Sequence, residues 1–150
     1  MKNIEQYSAV VLGFIAFIML FFTVFTFEGE AIKGLALITE QSIASFSLAD
    51  QSVADSWLER NLLVIAAFIL PLLGGVLAIL DKRLVVAGVI LPIAGALMLY
   101  LSASTIVVVY EVIGFTGTAD IDVELGAGAF VHIIASVLAG VIALVNMVRT

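Results

Sequence analysis

From Leu62 to Leu80 the chain runs without one charged side chain, and the run closes on Asp81, Lys82 and Arg83. Three more stretches share this character: Tyr7 to Phe27, Leu84 to Tyr110 before Glu111, and Gly126 to Val148 before Arg149. A bilayer core of roughly 30 Å is crossed by about 20 mostly apolar residues in a helix. Pro71, Pro92 and the scattered glycines do not disqualify these stretches, because membrane helices tolerate both residue types. Composition agrees: 63% of residues are hydrophobic and 12% charged, against about 45–50% and about 25% in soluble domains. With a net charge of −6 and no cysteine, a nucleic-acid-binding domain, a disulfide scaffold and a Cys-based zinc site are excluded. The expected fold class is all-α, a four-helix transmembrane bundle with spans at 7–27, 62–80, 84–110 and 126–148.

A cleaved signal peptide is the other reading of the first stretch. Its apolar run of about 19 residues exceeds the usual 7–15, and no clear A-x-A site follows, so it is read as a retained span. Four spans divide the charges between two compartments. Lys2, Lys82, Arg83 and Arg149 face Glu5 and Asp81 on one side, for a net +2. Lys33 and Arg60 face ten carboxylates on the other, for a net −8. Basic residues favour the cytoplasm, so a multi-pass protein of the cell (plasma) membrane with both termini cytoplasmic is expected. The loops at 28–61 and 111–125 then lie outside.

The turn at Asp81–Arg83 is short enough to force an antiparallel hairpin of its two flanking helices. Pro71 and Pro92 both fall roughly 14–15 Å from that turn at 1.5 Å per residue. Two prolines at one depth act as a packing kink, or else as a hinge or ion-accessible gap. The first outer loop, about 34 residues, is too long to be a bare connection. Ile32, Leu35, Ile43 and Phe46 fall on one helical face, so residues 31–46 are expected to form a short amphipathic helix within an extracytoplasmic cap. Ser52 with Asp55 is a variant of the capping box, which starts the second helix near Ser52 and sets Trp57 at the outer interface.

His132 is the one ionisable residue clearly inside a span, and such a residue marks a site for ligand binding or proton relay. Gly128, His132, Ser136 and Gly140 recur every four residues beside Ala135, Ala139 and Ala143. Small residues at this spacing let helices approach closely, so His132 should face protein, where the simpler role is a hydrogen bond to a neighbouring helix. Gly74/Ala78 and Gly88/Pro92 are further packing ridges. Glu111, which ends the third span, is the expected partner of His132. One His and one Glu are a thin metal site, and no Ser-His-Asp set, P-loop or H-E-x-x-H motif occurs; neither an enzyme nor a bound metal is expected.

Asp120, Asp122 and Glu124 alternate and would share one face of an extended segment. They are candidate cation ligands or a pore mouth that gathers cations; a solvated acidic face is the plainer reading. Phe14, Phe17, Phe21 and Phe25 form a stripe that meets lipid or the bundle core, or else a quinone or pigment. No cofactor is called for, and bound lipid is expected.

Short inner termini, a long first outer loop, a tight basic inner turn and a shorter second outer loop resemble the claudin/PMP22-type tetraspan outline over essentially the whole chain. That family's tryptophan-rich signature and cysteine pair have no counterpart: Trp57 stands alone and cysteine is absent. That family also builds a small outer sheet, which the amphipathic helix expected over 31–46 argues against; the resemblance implies only lateral assembly and barrier or accessory roles, and no site residue is carried across. The function expected is that of a non-enzymatic structural or accessory subunit that joins copies of itself or a larger membrane complex. The alternative is an oligomeric cation channel or transporter.

Overall fold

The computed structural model describes residues 2–43 and 55–149. Among the described residues are five α-helices, α1 (Lys2–Ile18), α2 (Ala36–Thr39), α3 (Leu62–Leu80), α4 (Val85–Ser102) and α5 (Ala127–Arg149), and six strands. The strands are β1 (Thr23–Phe27), β2 (Glu30–Lys33), β3 (Asp55–Leu58), β4 (Val107–Val112), β5 (Phe115–Asp120) and β6 (Glu124–Leu125). Three helical segments, Leu62–Leu80, Lys82–Thr105 and Ala127–Arg149, are long and apolar enough to cross a membrane, while the apolar helix at Tyr7–Phe21 is shorter. Around the bundle the order is α1, α3, α4, α5, each packing against the next and α5 against α1.

The chain is not all-α. Every connection on the side away from the Asp81–Arg83 turn carries strand, in two antiparallel three-stranded sheets ordered β2-β1-β6 and β3-β4-β5. The expected first and third spans are therefore too long. After α1 helix gives way to a 3-10 turn at Met19–Phe21 and then to β1, and after α4 to a 3-10 turn at Ala103–Thr105 and then to β4. The cause lies in the residues: Thr-Val-Phe-Thr-Phe and Val-Val-Val-Tyr are β-branched and aromatic, and stiff χ1 angles favour a pleated surface. Each hairpin closes on two residues with positive φ, Glu28-Gly29 (+49°, +83°) and Ile113-Gly114 (+36°, +79°). Positive φ at both positions defines the turn whose twist matches paired strands.

The amphipathic helix expected over residues 31–46 is likewise replaced. Glu30–Lys33 pairs with β1, and Ser42 bridges Trp57; among the described residues of that stretch only Ala36–Thr39 is helical. Ile32 and Ile43 are buried in the shared core, so the apolar positions do point inward, by strand and loop geometry. Phe46 and Ser52 lie outside the described residues. Asp55 opens β3 instead of capping α3, and Asn61 caps that helix: its side chain accepts a hydrogen bond from the Val64 amide at 3.2 Å. The Asn61 side-chain amide also donates to the Thr105 carbonyl at 3.2 Å and hydroxyl at 3.0 Å, tying the start of α3 to the end of α4. Trp57 sits in β3 opposite Val109.

Within the bundle, packing is inverted relative to a water-soluble protein. Large aliphatic side chains such as Ile69, Leu73, Ile90, Leu97, Ile134 and Leu138 point outward and are exposed. The interior is filled with small residues, including Gly74, Gly75, Gly88, Gly95, Ala135 and Ala139. Between helices that cross a membrane there is no hydrophobic force, and close approach of small residues supplies the attraction instead. α3 and α4 interlock in a mirrored pattern. A β-carbon on Gly95 would stand 2.8 Å from Pro71 Cδ, and one on Gly74 would stand 2.7 Å from Pro92 Cδ. The two prolines are thus knobs that fill glycine holes in the facing helix.

Candidate functional site

His132 lies one to two turns into α5 and is completely buried. Helix periodicity puts it there: Gly128, His132, Ser136 and Gly140 form one ridge, and all four are buried with Ala135 and Ala139 beside them. Its Nδ1 is 2.9 Å from the carbonyl oxygen of Ala16. A carbonyl can only accept, so Nδ1 carries the hydrogen and donates it. Ala16 belongs to the last turn of α1, where carbonyls run out of intrahelical amide partners. Nε2 is 3.5 Å from the Ser136 hydroxyl. The ring also packs on Phe68 of α3, with centroids 4.5 Å apart.

The backbone of Ala67 in α3 and of Gly95 in α4 closes the surroundings of the imidazole. Pro71 has no amide hydrogen, so the Ala67 carbonyl one turn earlier loses its helical donor. A β-carbon on Gly95 would stand 2.8 Å from that oxygen. All four long helices therefore meet at His132, whose single ring donor goes to the Ala16 carbonyl at the end of α1.

Glu111 is not the partner of His132, contrary to expectation. It lies exposed in β4, opposite Asp55 of β3 and Thr116 of β5. The premature end of α4 is the reason: the chain is already in a sheet when it reaches Glu111. Asp120, Asp122 and Glu124 do share one side, and they line an open groove of about 540 Å³ with Glu28 and Gly29 of the β1–β2 turn. Sequence spacing could not bring in Glu28, which reaches the groove through the β1–β6 pairing. Among the described residues no three acidic or histidine side chains come together closely enough to hold a metal ion.

The remaining candidates serve packing. Ala78 meets Gly88 across the α3–α4 seam, Gly140 meets Ile93 and Val89 of α4, and Gly128 meets the Thr23 carbonyl at the entry to β1. The phenylalanine stripe splits, with Phe25 buried in the core and Phe14 and Phe21 exposed. Asn61 is the polar residue that sequence reasoning missed; an Asn directly before an apolar run is itself a helix-start signal. Comparison with protein-family models, with curated proteins and with solved structures gives no match.

Proposed function

We propose that this chain is a non-enzymatic four-span membrane protein, a structural or accessory subunit that assembles with copies of itself or with a larger complex. Lys2–Phe21 supplies the fourth span, both termini are cytoplasmic, and the sheets face outward from the cell membrane. The observation that carries this reading is how the buried polar groups are used. Ser56 donates to Ile43, Ser102 to Leu99 and His132 to Ala16, all backbone carbonyls, while Ser136 faces the other ring nitrogen of His132. These groups bind the fold together.

Gentle detergent extraction from native membranes, followed by mass determination, tests the proposal. A particle larger than one 15.9 kDa chain plus its micelle is expected, and a lone protomer refutes it. The acidic groove at Glu28, Asp120, Asp122 and Glu124 favours a second reading, an oligomeric cation pathway with that groove as its mouth. Proteoliposome cation flux that is present in the parent and disappears in Asp120→Asn and Glu124→Gln, two residues that line the groove, would replace the first reading with the second.

A further inference from the structure

At the end of the bundle that holds the Asp81–Arg83 turn, the four helices do not close on one another. The side chains between them there are small, and Ala9, Ala78 and Ala143 leave a cavity of about 280 Å³. Leu80 and Val85 complete apolar walls, and Lys82 and Asn146 bring polar groups to it. Gly75 lies against the backbone of Ala9 and Val10, so α1 and α3 touch and the space does not continue along that seam. The cavity is an amphipathic recess at the level where helix meets turn.

This lining selects its occupant by chemistry. Lysine is a compact cation with three donors and binds phosphate as a point charge. Alanine and leucine walls offer a hydrated free ion nothing in return for its lost water, whereas they suit methylene groups. At about 30 Å³ per water-sized group, the recess holds a phosphoglycerol group and its first methylenes. A whole lipid does not fit, and its chains must run out between helices into the bilayer. Basic recesses between membrane helices at the water boundary are suited to acidic lipid headgroups.

We propose that the recess binds the head of one acidic phospholipid from the adjacent leaflet, with its phosphate at Lys82 and its glycerol end between Ala9 and Ala143. The proposal rests on the chain being embedded in a bilayer, and holds for either direction of insertion. Native mass spectrometry of the detergent-solubilised full chain, titrated with dioleoylphosphatidylglycerol or dioleoylphosphatidylcholine, tests it. One phosphatidylglycerol per chain is expected, bound about fivefold tighter than phosphatidylcholine: both carry a phosphate that can accept from Lys82, but the choline cation offsets its charge, and the net attraction of one lysine to one anionic lipid is worth about that factor.

Lys82→Gln should bring the two lipids to equal affinity, while Arg83→Gln, one residue along and outside the recess, should leave the preference within about twofold. Ala143→Leu fills the space and should abolish the one-to-one complex. Because Lys82 is exposed on a turn, its variant keeps the test open even where Ala143→Leu fails to fold. Equal binding of both lipids by the unmodified chain overturns the proposal, as does an equal loss in Lys82→Gln and Arg83→Gln. Displacement of the lipid by excess inorganic phosphate also overturns it, in favour of a free-anion site.

Discussion

Alanine at Gly74 tests the proline–glycine interlock, because the three atoms nearest the new methyl group all belong to side chains. The added carbon would stand 2.7 Å from Pro92 Cδ, 3.0 Å from Pro92 Cγ and 3.1 Å from Leu91 Cβ. A proline ring cannot rotate away, so the helices must separate by several tenths of an ångström. Overpacking of this kind costs about 1–3 kcal/mol, and the better helix propensity of alanine returns at most about 1 kcal/mol. Gly74→Ala should therefore destabilise by about 1–2 kcal/mol. Placing Gly74→Ala in a Pro92→Ala background removes both ring carbons, and most of its cost should vanish, giving a coupling energy of about 1 kcal/mol or more. The mirrored pair should behave differently. Gly95→Ala meets Pro71 Cδ and Cγ but also the Ala67 carbonyl at 2.8 Å, which is backbone and remains after Pro71→Ala, so rescue there should be partial. Denaturant titration in mixed micelles, read by helix circular dichroism and by the fluorescence of Trp57, the only tryptophan, gives all the values. A Gly74→Ala protein as stable as the parent, or one whose loss is unchanged by Pro92→Ala, refutes the interlock.

Asn61→Ala removes a helix cap and the tie to Thr105 and should cost about 1–2 kcal/mol, with faster amide exchange at the starts of α3 and β4; unchanged exchange there would dismiss the tie. Ile113 is β-branched, 90% exposed and held at φ +36°, so Ile113→Asn should stabilise by about 1 kcal/mol through relief of backbone strain. A lower melting temperature for that variant would mean the isoleucine is packing against something. His132→Ala should destabilise by about 2–3 kcal/mol by opening a cavity against Phe68 and leaving the Ala16 carbonyl without its donor; a stability loss below about 0.5 kcal/mol would show the contact to be incidental.

Apolar run length located the helices where charges or turns bound them on both sides, as at Leu62–Leu80 and Ala127–Arg149. It failed where an apolar stretch continues past the end of its helix, since hydropathy does not distinguish a helix from a strand. Thr23–Phe27 and Val107–Tyr110 carry their own signal in β-branched and aromatic residues. The Glu28-Gly29 and Ile113-Gly114 pairs mark the hairpins, because glycine in second place suits a two-residue turn. The inward orientation of His132 was legible in the four-residue ridge. Its partner was not, because that partner is a backbone carbonyl, and the spacing of side chains along a sequence does not say which carbonyls lose their amides. Glu111 was misplaced for the same reason that the third span was drawn too long.

The hydrogen-bond geometry at His132 has one further consequence, open to direct measurement. Isolated histidine in water favours the hydrogen on Nε2, but here the Ala16 carbonyl at 2.9 Å requires a donor at Nδ1. Ser136 can then turn its hydroxyl toward a bare Nε2 across 3.5 Å, since a hydroxyl donates as readily as it accepts. Nitrogen-15 spectra of a histidine-labelled sample in lipid should show one protonated ring nitrogen, Nδ1, and one bare nitrogen, Nε2. Substituting Ser136 by alanine should shift the Nε2 resonance and leave Nδ1 nearly in place, because the Ala16 bond does not depend on the serine. A hydrogen on Nε2 with Nδ1 bare would break the bond between α5 and α1. The convergence of four helices on this ring would then be packing alone.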